Sequence, residues 1–98
     1  MNEFNSILAN AKETILLEST SIANLTNLLD SSFEDAVKFI YNSNGRVIVT
    51  GIGKSANIAT KMVATFNSTG TPAVFMHAAD AIHGDLGNVQ DNDVVICI

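Results

Sequence analysis

A chain of 98 residues with no tryptophan, one proline and one cysteine is barred from several architectures at the outset. Cys97 has no second cysteine to pair with, so a disulfide-stapled scaffold is excluded. It stands in the apolar run Val94-Val95-Ile96-Cys97-Ile98, which reads as a buried strand, so a core thiol is the expectation. Basic residues are scarce as well. Five Lys and Arg face ten Asp and Glu, and the bases form no stripe, which disfavours nucleic acid as a partner. The formal charge of −5 does not bear on a small anionic ligand, which senses a few backbone amides and one or two lysines. No apolar stretch approaches the roughly 18 residues that span a bilayer. Met1-Asn2-Glu3-Phe4 lacks the basic start of a secretion signal. The expected setting is therefore the cytoplasm, without a membrane partner.

What the chain has in quantity is apolar residues. They make up 47% of it and the mean hydropathy is +0.27. A domain this small buries only about two thirds of its unfolded surface, so the excess predicts an oligomer or a part of a larger fold.

Residues 4–29 contain neither Pro nor Gly, and Leu8, Ile15, Ile22 and Leu29 recur every seven positions, with Phe4, Ala11 and Leu25 on the interleaved set. This predicts one long amphipathic helix, or two collinear ones that part near Glu18-Ser19-Thr20-Ser21. So narrow a seam suits an arm that packs on its own domain and on a neighbouring subunit. Ser31-Ser32-Phe33-Glu34 has the form of a capping box and predicts a second helix with Phe33, Ala36, Val37, Ile40 and Tyr41 on its buried face. Asn44-Gly45 ends it. Val47-Ile48-Val49 reads as a strand covered on both faces. A helix follows from Ser55 to Phe66, closed by Asn67-Ser68-Thr69-Gly70 and Pro72. Next come a strand at Ala73-Val74-Phe75-Met76, a short helix over residues 78–82, and a strand over residues 94–98. This alternation predicts an α/β, doubly wound parallel sheet of flavodoxin-like type, with N-terminal helices over residues 1–44 and the sheet domain over 45–98. A chain that stops inside its third strand is expected to be the front half of such a fold.

The segment that carries chemistry is Thr50-Gly51-Ile52-Gly53-Lys54-Ser55-Ala56, at the carboxyl end of the first strand, where such sheets bind ligands. Gly51 and Gly53 permit a tight turn and close approach of an anion, and Ser55 is placed to cap the next helix. Three readings compete. A Walker A loop requires glycine where Ile48 stands. A dinucleotide fingerprint is met by Gly51, Gly53 and Ala56 but lacks the ribose-binding acid about 20 residues on. The third places Lys54 at a sugar phosphate or its reacting oxygens. His77 and His83 follow the second strand and can face the same crevice; with Asp80 and Asp85 they offer metal donors, though without a recognised ligand spacing.

Three blocks together resemble the sugar isomerase (SIS) domain of bacterial arabinose-5-phosphate isomerases. They are the run from Gly45 through Thr50-Gly51-Ile52-Gly53-Lys54-Ser55, Thr65-Phe66-Asn67-Ser68-Thr69-Gly70-Thr71-Pro72-Ala73, and His83-Gly84-Asp85-Leu86-Gly87, in the family's order and spacing. The resemblance implies interconversion of D-ribulose 5-phosphate and D-arabinose 5-phosphate, the entry to Kdo for lipopolysaccharide or capsule, by a homotetramer with no required cofactor. It implies that Lys54 is the active-site lysine, that Gly53, Ser55, Gly70, Thr71, His77 and His83 bind the substrate, and that His77 can hold an inhibitory zinc. It also places the carboxylate base beyond Ile98, so that the 98 residues alone would not catalyse. The chain departs from the family at Ala56-Asn57, Ala78 and Asp80, where glycine-histidine, proline and glutamate are usual. A non-catalytic sugar-phosphate sensor, an isomerase of another phosphosugar and a nicotinamide-dependent oxidoreductase fragment stand as the rival readings.

Overall fold

Val47, Ile48 and Val49 are almost wholly withdrawn from water, and around them the sheet is built. The structure, a computed structural model, describes residues 6–98. β1 (Val47–Gly51) lies between β2 (Ala73–His77) and β3 (Val94–Cys97) in a three-stranded parallel sheet of order β2-β1-β3. Val47 pairs with Ala73 on one side and with Val94 on the other, and Gly51 pairs with His77. Helix α3 (Lys54–Ser68) connects β1 to β2 and covers one face. Val47, Val49, Ala73 and Ala59 form the core there, with Ile40, Met62, Val63, Phe66, Phe75 and Ile96 packed against it. Full burial of each such valine is worth about 1.5–3 kcal/mol. Because the chain crosses from β2 over β1 to β3, the order reverses beside β1, and ligands of such sheets bind at the carboxyl ends around that point.

The chain divides into two compact units, Met1–Asp35 and Ala36–Ile98, and the sheet belongs entirely to the second. The first holds α1 (Ile7–Asn24) and a 3₁₀ turn at Leu25–Asn27. Of the two alternatives the single helix holds here, for α1 runs unbroken past Glu18. Ser19 and Ser21 donate their hydroxyls to the carbonyls of Leu16 and Leu17 at 3.0 and 2.7 Å, so these weak helix formers are satisfied inside the helix and the change to 3₁₀ falls at Leu25. Phe4 lies outside the described residues.

Helix α2 (Ser31–Tyr41) starts where expected, but its cap is Asp30 and not Ser31. The Asp30 carboxylate accepts from the Ser32 amide at 2.9 Å and from the Ser32 hydroxyl at 2.5 Å. A charged oxygen suits the positive end of a helix better than a hydroxyl, and the Ser32 hydroxyl, then its amide, holds the Asp30 carboxyl below its ordinary range. The face predicted to be buried is also corrected. Ile40 packs on the core, whereas Phe33, Val37 and Tyr41 are exposed. Cys97 is likewise exposed and not a core thiol. On β3 the alternation turns Ile96 toward α3 and Cys97, with Val95, toward the opposite face, which is left open there.

The amino ends of β1 and β3 are tied by one side-chain cluster. Asp93, its side chain 2% exposed, accepts from the Arg46 amide at 2.9 Å through Oδ1, and through Oδ2 from the guanidinium and the Gln90 amide, both at 2.8 Å. Arg46 also donates to the Asn88 carbonyl. The Arg46 guanidinium, then the Gln90 and Arg46 amides, hold the Asp93 carboxyl well below the usual carboxylate value of 3.8. A depressed folded value stabilises the fold above the unfolded value and is lost as acid protonates the folded carboxylate, so this contribution should fade as the pH falls below about 4. Asp93→Asn is expected to melt lower at pH 7, with the gap to the parent protein narrowing toward pH 2; a constant gap in thermal melts would refute this account of the cluster.

Candidate functional site

The turn that leaves β1 is shaped by two glycines used in different ways. Gly53 has φ 62° and ψ −130°, a conformation that side-chain-bearing residues avoid, and it is the residue on which α3 begins. At Gly51 the constraint is space: a Cβ there would lie 3.0–3.2 Å from backbone atoms of Ser55 and Ala56, so the first turn of α3 rests directly on the end of β1. Lys54 opens the helix, exposed, and no acidic residue stands in that turn. A cation at a helix N-terminus opposes the macrodipole, and an anion at this edge would be attracted by both the lysine and the first-turn amides. The expected cap by Ser55 is not made. The helix starts one residue earlier than predicted, which carries Ser55 inside the first turn, half-buried, and the Ala56 amide instead donates to the Gly53 carbonyl at 3.1 Å.

His77 ends β2 and pairs with Gly51, so it lies at the same carboxyl edge. Residues 73, 75 and 77 alternate onto the face that α3 covers, as do 47, 49 and 51, so His77 starts from the same side of the sheet as the Lys54 turn. Its half-buried ring stands edge-on to Phe75, with centroids 6.2 Å apart. It also caps the next helix, α4 (Ala78–Ile82): Nδ1 accepts from the Ala79 amide at 3.1 Å. His83 closes α4 at its other end and is exposed, followed by Gly84 at φ 123°. The Thr50 hydroxyl, on the opposite face of the sheet, is buried without a hydrogen-bond partner among the described residues.

Gly53, Lys54, Ser55 and His77 are thus gathered at one edge of the sheet, with His83 one short helix away. Gly70 and Thr71 are not. They precede β2 and lie at the amino edge, separated from Lys54 by the whole of α3, 15 residues or about 22 Å. Their loop is held by Asn67, whose side chain accepts from the Ala73 amide at 2.8 Å and donates to the Ala73 carbonyl at 3.1 Å. The Thr71 amide donates to the Phe66 carbonyl at 2.9 Å. A cleft of about 450 Å³ also opens at the amino edge, beside Gly45, Pro72 and the turn before β3. The two charged groups that pair there, Arg46 and Asp93, neutralise each other.

Sequence reasoning missed the capping by His77, the two-ended clamp by Asn67 and the Arg46–Asp93 tie. Only the second left a readable signal, an Asn at a helix end before a Gly. For zinc, no group of three or more His, Cys, Asp or Glu side chains comes together among the described residues, and His77 already commits Nδ1. The described residues by themselves do not fit a metal site. No helix among them is long and apolar enough to cross a membrane.

Comparison with known proteins bears on this edge. The family model described as SIS domain matches residues 39–98. The arabinose 5-phosphate isomerase KdsD of Francisella tularensis is 49% identical over 96 residues, and the GutQ arabinose 5-phosphate isomerase of Escherichia coli K12 is 42% identical over 93, each alignment covering 95% of this chain. The chain spans 29% of the length of each of these relatives. Among solved structures, an Escherichia coli CFT073 protein in complex with arabinose 5-phosphate superposes with a TM-score of 0.88 at 38% identity, over 99% of this chain and 51% of that one.

Proposed function

The chain belongs to the SIS domain family, and on that premise we propose that in the full-length protein it serves an aldose–ketose isomerase that interconverts D-ribulose 5-phosphate and D-arabinose 5-phosphate, feeding Kdo synthesis for lipopolysaccharide or capsule. The observation that carries this reading is the carboxyl-edge arrangement, in which a glycine-shaped turn sets Lys54 at the start of α3 on the side of the sheet where His77 ends β2. Relatives named arabinose 5-phosphate isomerase and a structural neighbour in complex with arabinose 5-phosphate support the choice of substrate. The reaction moves a proton between adjacent carbons through an enediolate, and it requires a base together with a cation or donor for the developing oxyanion. Lys54 takes the second task, Gly53 and Ser55 hold the ligand at the turn, His77 and His83 line the pocket, and a carboxylate elsewhere in the full-length protein is the base. No metal or cofactor takes part, and the protein works in the cytoplasm.

The assembly we propose is a homotetramer. Gly70 and Thr71 stand at the amino edge, away from Lys54 of the same chain, and on this reading they serve the pocket of a neighbouring subunit, as the family resemblance implies. The exposed seam of α1 supports association: Leu8, Ile15 and Ile22 are 72, 65 and 66% exposed. Burial of each would contribute about 1.5–3 kcal/mol. Ile15→Asp together with Ile22→Asp is expected to divide the full-length oligomer into smaller species in light scattering and to lower its activity; an unchanged mass would remove the seam from the assembly. The function itself is tested by incubating the full-length protein with D-ribulose 5-phosphate. Formation of D-arabinose 5-phosphate is the expected result, and failure to form it overturns the reading.

A further inference from the structure

The capping contact of His77 limits what its ring can do. A backbone amide only donates, so the nitrogen that accepts from Ala79, Nδ1 at 3.1 Å, is unprotonated. In the neutral ring the proton is then on Nε2. The bond is not incidental, because Ala79 N–H is among the first-turn amides of α4 that have no partner within the helix, and the ring also stands edge-on to Phe75. What remains is a single N–H, on the residue that pairs with Gly51 at the carboxyl edge.

We propose that His77 is held as the Nε2–H tautomer by the amide of Ala79 and meets the sugar phosphate as a hydrogen-bond donor only, never as the base that takes the carbon-bound proton. To act as that base, Nε2 would have to lose its proton while Nδ1 gained one, which would set an N–H against the Ala79 N–H and uncap α4. The donor is aimed at an oxygen of the ligand, and His77 thereby becomes a binding and orienting residue whose tautomer is chosen by the helix behind it. The inference rests on the proposed function for the identity of the ligand, but the tautomer does not.

The test uses the full-length protein in two ways. In the nitrogen spectrum of histidine-labelled protein, the His77 signal, identified by its loss in His77→Asn, is expected to show Nδ1 unprotonated and Nε2 protonated, with and without D-arabinose 5-phosphate. A proton on Nδ1 overturns the proposal. The second arm separates cap from donor by substitution. Asparagine offers a carbonyl oxygen near the position of Nδ1 and nothing at Nε2; glutamine can place an N–H near Nε2 and gives up the cap. His77→Asn is expected to melt as the parent does and to raise KM for D-ribulose 5-phosphate by about tenfold to a hundredfold, with the smaller change in kcat. His77→Gln is expected to melt lower and to keep KM closer to that of the parent. A His77→Asn protein with parental KM, or one that loses kcat while KM stays unchanged, overturns the donor role. Should the full-length protein fail to turn over either pentose phosphate, the functional reading falls, and the nitrogen spectrum still decides the tautomer.

Discussion

Lys54→Ala in the full-length protein is expected to lower turnover by about 10²–10³-fold, the cost typical of removing one preorganised group from a developing oxyanion, while the thermal melt stays where it was. The two halves of this expectation have separate origins. Lys54 is exposed at the first position of α3, contributes nothing to the core and opposes the helix dipole there, so its loss leaves packing unchanged. Its position is nevertheless closely defined, because the backbone before it turns through Gly53 at φ 62° and the helix behind it rests on Gly51. On the proposed function, this fixed backbone sets the lysine at the edge where the enediolate would form. Parental turnover in the variant would remove Lys54 from the mechanism.

The largest expected effect on stability lies at the other end of the sheet. A Cβ on Gly45 would stand 2.1 Å from the Asn92 carbonyl oxygen, 2.3 Å from its carbon and 2.8 Å from the Asp93 nitrogen. All three are backbone atoms, so no side chain can swing aside to make room. The segment they belong to is held by the Ser43 hydroxyl, which donates to the Asn92 carbonyl and accepts from the Gly45 amide, both at 3.1 Å. Beyond it the Val94 amide donates to the Arg46 carbonyl at 2.9 Å, which starts the pairing of β3 with β1. Gly45→Ala must therefore displace residues 92–93, with loss of the Asp93 contacts, at a cost of about 3 kcal/mol or more. Gly87→Ala is the control, since a Cβ there meets nothing within 4 Å. Equal urea midpoints for the two variants would contradict the account of this edge.

The sheet was legible because its signals are local. Val47-Ile48-Val49 carries no polar residue and is covered on both faces, and the helical spacing of Ile58, Ala59, Met62, Val63 and Phe66 places α3 to within two residues. The glycine-lysine turn was legible for the same reason. Failures arose where several groups compete for one role or where the partner is distant in sequence. Asp30 and Ser31 can each cap α2, and the charge at Asp30 decides. Arg46 and Asp93 are 47 residues apart, so nothing in either neighbourhood announces their pairing. Cys97 was misread because an unbroken apolar run does not say which of a strand's two faces is covered. Gly70 and Thr71 show the limit of reading motifs: a block can be recognised along the chain, while its distance from Lys54 follows only from α3 and the parallel pairing of β2.

The central claim is that the sugar phosphate lies at the carboxyl edge between the Lys54 turn and His77, and a crystal structure of the full-length protein with D-arabinose 5-phosphate tests it most directly. The account predicts ligand oxygens within hydrogen-bond distance of Lys54 Nζ and His77 Nε2, with the Ala79 amide still donating to Nδ1. A ligand seated in the amino-edge cleft beside Gly45 and Arg46, with Lys54 out of its reach, would contradict it.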